Sequence, residues 1–328
     1  MSVWHWAWLI GVYLAVLSCV IAIIRIGLLS GWNEGLKQVL VFVGFAFAYW
    51  FLESWAIVRA PFYLYPPAFP DMIPFFPFPS SIASSAALAH PCAQMPEMIS
   101  ASIPLSAAVI TFTLMWTARL LLGAAWLMTY KPNVIALSVG TSTLFLDLSL
   151  DPVLALSKDC MAKVVHPGLG FWHWYTDPSF ADFWFRIPLY NFASWYAAPA
   201  LLVAVVILIA GALAITTATD MLLRGLIVFL VGAIFFTAPG ANPPIPQIML
   251  VLFLVLVGLY HLFKDWSTYI RNNPFRWELI LPLLFFFLYP LVALLLSGTG
   301  PLFPLLIVSA VVAAVGAVYT FTPYVKWP

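Results

Sequence analysis

Apolar stretches nearly free of charge recur along the chain at the length that a helix rising about 1.5 Å per residue needs to cross about 30 Å of hydrocarbon. They fall at 4–24, 38–58, 104–129, a shorter 133–150, and 194–217. No charge occurs from Gly225 to Tyr260, but the proline-rich TAPGANPPIPQ at 237–247 stops a helix and turns the chain, which gives a sixth and a seventh helix. The uncharged run from Leu279 to Val325 is divided by SGTGP at 297–301 into an eighth and a ninth. The pattern predicts an all-α, polytopic integral membrane helix bundle of about eight or nine transmembrane helices. No repeat or linker divides it, so residues 1–328 read as a single integral membrane domain. The first stretch has no basic residue before Arg25, whereas a secretory signal carries a positive region ahead of its apolar core, so it reads as a retained helix.

Composition agrees: 64% of residues are hydrophobic and 8% charged, against roughly a quarter charged in a soluble domain. The net charge of +1, from 13 basic and 12 acidic residues, gives no field for nucleic acid, which is excluded as a partner. Basic residues concentrate in cytoplasmic loops. Placing the N-terminus outside and the C-terminus inside puts Arg25, Lys37, Lys131, Arg224, Lys264, Arg271, Arg276 and Lys326 inside, against Arg59, Lys158, Lys163 and Arg186 outside, with Arg119 within the third helix. The cytoplasmic membrane of a prokaryote is the expected location.

Two long connections, 59–103 and 151–193, interrupt the pattern and are rich in proline and aromatic residues, as in APFYLYPPAFPDMIPFFPFPSS and HPGLGFWHWYTDPSFADFWFRIPLYN. Irregular backbone at membrane depth persists only where protein or an internal cavity satisfies its amides. With nine helices both connections lie on one side and are expected to fold together over one cavity; the alternative is anchoring in an interfacial aromatic belt.

A carboxylate within a membrane helix is expensive to keep and is a functional candidate for that reason. Glu53 lies inside the second helix, in AYWFLESWAIV. Asp147 and Asp151, in LFLDLSLDP, are four residues apart and share one helix face. Pro152 disfavours helical geometry at the residue before it, so Asp151 is expected to end the helix with Asp147 one turn deeper. The structural alternatives are a packing carboxyl for Glu53 and Asp147 and a solvated interfacial one for Asp151. These three acids are expected to converge on one cavity.

Next comes a dense aromatic segment, Phe171, Trp172, Trp174, Tyr175, Phe180, Phe183, Trp184 and Phe185, leading into IPLYNFASWY with Asn191 and Trp195. Aromatic walls suit a long apolar or conjugated ligand and stabilise a cation through their ring faces; lipid-facing packing is the plainer alternative. His166 and His173 lack ligand spacing, and Cys19, Cys92 and Cys160 lack zinc or iron-sulfur spacing, so no metal site is expected. Cys92 and Cys160 are expected on the same, non-cytoplasmic side, where a disulfide is possible in an oxidising compartment. No phosphate loop, nucleophile elbow or HExxH motif is present.

The segment DLSLDPVLAL, with WHWY, FRIPLYNFASWY and the upstream Glu53, resembles the integral-membrane carotenoid biosynthesis family of the CruF and bisanhydrobacterioruberin hydratase type. The family's early acidic residue falls on Glu53, and its Asp-Pro pair on Asp151 and Pro152. Its tryptophan pair falls on Trp172 and Trp174, and its Pro-x-x-Asn-x-x-(Gly/Ser)-Trp signature on Pro188, Asn191, Ser194 and Trp195. The likeness is best over about 140–200, weaker over 45–130, and is one of hydrophobicity alone beyond that. The chain departs from the family in Ser194 where glycine is common, in the long proline-rich 59–103 segment, and in an insertion around 158–167.

The resemblance implies a cofactor-independent carotenoid 1,2-hydratase of the lyase class, which adds water to the terminal isopropylidene double bond of a ψ-end carotenoid. Protonating an unactivated alkene needs a buried carboxylic acid, the tertiary cation needs aromatic faces, and water then needs a base or an oriented amide. Asp147 or Glu53 is the expected acid, with Asp151 and Asn191 positioning water; the carboxyls are free to exchange roles. Trp172, Trp174, Phe185, Pro188, Asn191 and Trp195 are expected to bind the substrate. Three other readings stand beside this one: a membrane carotenoid cyclase, a non-catalytic carotenoid- or lipid-binding subunit of a membrane complex, and a transporter. The expected partners are a carotenoid or other long apolar polyene, and membrane lipids.

Overall fold

The computed structural model describes residues 2–59, 63–64, 69–74, 76–77, 98–122, 131–159, 164–166, 169–176, 182–185, 187–213, 218–237, 245–264, 273–297 and 303–325. Among these, nine helices follow in order: α1 (Val3–Ser30), α2 (Trp32–Arg59), α3 (Ser102–Leu122), α4 (Lys131–Leu154), α5 (Leu189–Leu213), α6 (Ala218–Thr237), α7 (Ile245–Lys264), α8 (Trp277–Leu296) and α9 (Phe303–Phe321). Seven of them, α1 to α5, α8 and α9, are long and apolar enough to cross a membrane, and α7 carries a shorter apolar stretch. The chain is an all-α polytopic integral membrane protein.

Several boundaries differ from the sequence pattern, each for a physical reason. The charged stretch after Ile24, expected as a loop, is helical: α1 runs to Ser30 and α2 starts at Trp32. Gly31, at φ 96°, makes the reversal in one residue, a conformation open to glycine alone at little cost. At 28 residues each, these helices span the headgroup layers as well as the hydrocarbon, so Arg25, Glu34 and Lys37 sit on helix ends rather than in a loop.

Asp151 does not end its helix. α4 continues through Pro152 to Leu154. Proline lacks the N–H that would have bonded the carbonyl four residues earlier, and that carbonyl, Leu148 O, instead accepts from Trp184 Nε1 at 2.8 Å. The same repair recurs in α5, where Pro199 leaves Trp195 O without its helical partner and Thr143 Oγ1 donates to it at 2.7 Å. Neighbouring side chains thus re-satisfy both interrupted helices, as the absence of water in the membrane requires.

α4 and α5 pack antiparallel and closely. Gly140 makes this possible, since a Cβ there would lie 2.7 Å from Tyr196 O on α5. α5 begins at Leu189, five residues before the expected start at 194, so Asn191 stands on its first turn instead of in the connection.

The two long connections meet in one sheet. β4 (Ala155–Asp159) follows α4 without a break and pairs in parallel with β6 (Trp172–Thr176); β5 (Val164–His166) flanks β4, and β1 (Tyr63–Leu64), from the first connection, flanks β6. Two short pairs complete the connections, β2 (Met72–Pro74) with β3 (Met98–Ser100) and β7 (Asp182–Trp184) with β8 (Ile187–Pro188). The Asp71 carboxylate ties the first connection to the bundle, accepting from Tyr13 Oη at 3.1 Å, Ser100 Oγ at 2.8 Å and Ser102 N at 2.8 Å.

At the other end of the bundle a buried ion cluster joins α1 to α8. Glu278, fully buried, accepts from Arg25 Nη1 at 3.1 and 3.2 Å and from Arg276 Nε.

Candidate functional site

The parallel register of β4 with β6 sets the site. Ala155 lies opposite Trp172 and Ser157 opposite Trp174, so β6 is drawn back beside the end of α4. Residues two apart on a strand share a face. Both indoles therefore reach Asp151: Trp172 Nε1 and Trp174 Nε1 donate to the same oxygen, Oδ1, the latter at 3.3 Å.

The other oxygen of Asp151 faces α5. Asn191 Nδ2 donates to Asp151 Oδ2 at 2.6 Å and to Asp147 Oδ2 at 2.9 Å, so one amide joins the two carboxyls. Asp147 and Asp151 are 2% and 1% exposed, which removes the interfacial, solvated alternative for Asp151. Three N–H donors converge on Asp151, whereas Asp147 Oδ1 has no donor among the described residues. The amide orientation follows from chemistry, since the side facing two carboxyl oxygens must carry the protons.

In front of Asn191 lies a cavity of about 60 Å³ between α2 and α5, with room for water. Glu53, one turn beyond Tyr49 on α2, lines it from one side, and Asn191, Ser194, Trp195 and Tyr190 from the other, with Trp174 at the sheet end. Glu53 is the carboxyl in the cavity wall, while Asp147 and Asp151 stand behind Asn191, which lines the same cavity.

The remaining expected residues divide. Trp174, Asn191 and Trp195 line the cavity. Trp172 does not: it packs edge-on against Trp8 and Phe171, and its N–H fixes Asp151. Pro188 is buried in β8, and Phe185, at φ 47°, stands edge to face with Trp184; neither lines the cavity. Of the other aromatics, Phe171 is fully buried and stacks on His5 at 4.3 Å, a packing role, and Phe180 lies outside the described residues. Cys92 and Cys160 also lie outside them, and Cys19 is buried as a free thiol.

Tyr49 and Tyr190 escaped the sequence reading although both had a signal. Tyr49 is four residues before Glu53 and so on the same helix face, and Tyr190 neighbours Asn191 on the first turn of α5. The strand alternation of Trp172 and Trp174 was a further signal that both indoles serve one target.

Comparison with protein-family models, curated proteins and solved structures returns no match.

Proposed function

We propose that the chain is a cofactor-independent carotenoid hydratase that adds water to the terminal isopropylidene double bond of a ψ-end polyene. The observation that carries this reading is the water-sized cavity with a carboxyl, Glu53, on one wall and an amide, Asn191, oriented by two buried carboxyls on the other. Glu53 delivers the proton to the terminal alkene, forming a C–H bond and leaving the charge on the tertiary carbon. The faces of Tyr49, Trp174, Tyr190 and Trp195 around the cavity suit that cation.

Both N–H groups of Asn191 point at the carboxyls, which leaves its Oδ1 as an acceptor for a water proton. The water oxygen bonds to the cation, its proton passes to the Glu53 carboxylate, and the acid is restored. Asp147, the deeper of the expected acids, acts here as a positioning residue with Asp151. Room for water beside the cation favours hydration over cyclisation, which must exclude water.

The sequence resemblance points to the same chemistry, and the basic-residue count supports an N-terminus outside and a C-terminus inside the cytoplasmic membrane of a prokaryote. The test is expression in a lycopene-producing host with analysis of the pigment. A product heavier by one water and more polar supports hydration; an isomer of unchanged mass makes the protein a cyclase, and unaltered lycopene co-purifying with it makes it a passive binder.

A further inference from the structure

The cavity beside Glu53 is too small for a polyene, yet the helices that line it continue into a second opening. α2 packs on α1 and α3, and α5 on α4 and α6, with scarcely any direct approach of α2 to α5. The gap between them holds a groove of about 630 Å³, walled by Leu40, Val41, Gly44 and Phe45 of α2 and by Leu202, Val206 and Ile209 of α5, and floored by Met115 of α3.

These are the same helix faces that line the acid cavity. One turn separates the two openings, from Phe45 to Tyr49 on α2 and from Ala198 to Leu202 on α5. The far mouth is polar: Lys37 Nζ donates to Glu34 at 2.5 Å, Gln38 Oε1 accepts from Trp116 Nε1 at 3.1 Å, and the Arg119 guanidinium lies 4.3 Å from the centre of the Trp116 ring. From Glu34 to Glu53 the seam spans 19 residues, about 28 Å at the helical rise, close to the hydrocarbon thickness.

We propose that the α2–α5 seam is the binding groove for a linear polyene that crosses the bilayer, with its reacting end at Glu53 and its far end among Lys37, Gln38 and Arg119 at the opposite membrane surface. The occupant is an extended chain because the walls between the two polar ends are apolar and the seam is one helix-face wide. The proposal rests on the hydration reading for what happens at the Glu53 end, but the groove binds whether or not chemistry follows.

Gly44 offers the test, since it lines the groove and a Cβ there meets nothing within 4 Å, so a larger side chain is expected to occupy the groove. Gly225 on α6, equally open and away from the groove, is the control. Full-length protein carrying Gly44→Phe or Gly225→Phe is purified from lycopene-containing membranes and bound pigment is measured by absorbance. Gly44→Phe is expected to hold at least tenfold less lycopene than the wild type, and Gly225→Phe as much as the wild type.

A shortened apo-lycopene with the same ψ-end should still be hydrated by Gly44→Phe, which also reports that the variant is folded; Val206→Phe on the facing wall repeats the block if it is not. Wild-type pigment levels in both blocking variants would overturn the groove even if hydration is found. Pigment lost in Gly44→Phe with no hydroxylated product from the wild type would leave the groove standing and remove the hydratase reading.

Discussion

Both N–H groups of Asn191 are directed at carboxyl oxygens, which leaves the amide oxygen as its remaining polar atom. On the proposed reading, Asp147 and Asp151 are the mounting of Asn191 and Glu53 is the acid that meets substrate. Glu53→Gln should lower hydration by about a hundredfold or more, the scale of a positioned general acid. Asp147→Asn should cost less, because the new amide still offers a carbonyl to Asn191 Nδ2. Pigment conversion by the two variants checks this, and the reverse order would return the proton to Asp147. Asn191→Leu should do more than slow the reaction. It strips two buried carboxyls of their shared donor, for which roughly 1–3 kcal/mol of lost stability is expected, read as a lower melting temperature in detergent.

Among the helices, α4 carries the least obvious piece of local design. Its proline would have ended it at Asp151, as the sequence pattern predicts, had Trp184 not supplied the donor that Pro152 lacks. Nothing local to LFLDLSLDP announces that repair, because its partner lies 36 residues away. Trp184→Phe should therefore destabilise the protein by roughly 1–3 kcal/mol, the cost of one unsatisfied buried carbonyl. In a Pro152→Ala background the same change should cost markedly less, since alanine restores a backbone N–H for Leu148 O. Equal costs in both backgrounds, measured as a double-mutant cycle, would show that Trp184 acts by packing alone. The helices themselves were legible because an apolar run nearly free of charge and long enough to cross the bilayer has few other fates. The charged ends at Arg25 to Lys37 were not, because a single glycine at φ 96° replaced the loop that charge seemed to require.

Across the whole molecule, polar groups gather at two levels, one around Asp151 and Glu53 and the other around Glu278, Lys37 and Arg119. The first was visible in the sequence as intramembrane acids followed by a tryptophan pair. Its assembly was not, since it depends on a parallel β4–β6 register between segments that read only as aromatic connections. At the second level, Glu278 holds α8 against α1 through Arg25 and stands beside Arg276. Glu278→Gln leaves two cations facing each other without a counter-charge. The expected loss is roughly 1–3 kcal/mol, below the about 3–5 kcal/mol of a fully buried pair because the Arg25 side chain is 36% exposed. Thermal unfolding in detergent reports it, and an unchanged melting temperature would mean that α1 and α8 are held by their apolar faces alone.

The central claim, that Glu53 protonates a terminal alkene and water held by Asn191 captures the cation, is tested most directly by the source of the product's oxygen. Membranes containing the wild type or Glu53→Gln are incubated with lycopene in heavy-oxygen water, and the pigment is analysed by mass spectrometry. The account predicts a tertiary alcohol carrying the heavy oxygen with the wild type and at least about a hundredfold less of it with Glu53→Gln. A product without the label, or equal labelling by both proteins, would contradict it.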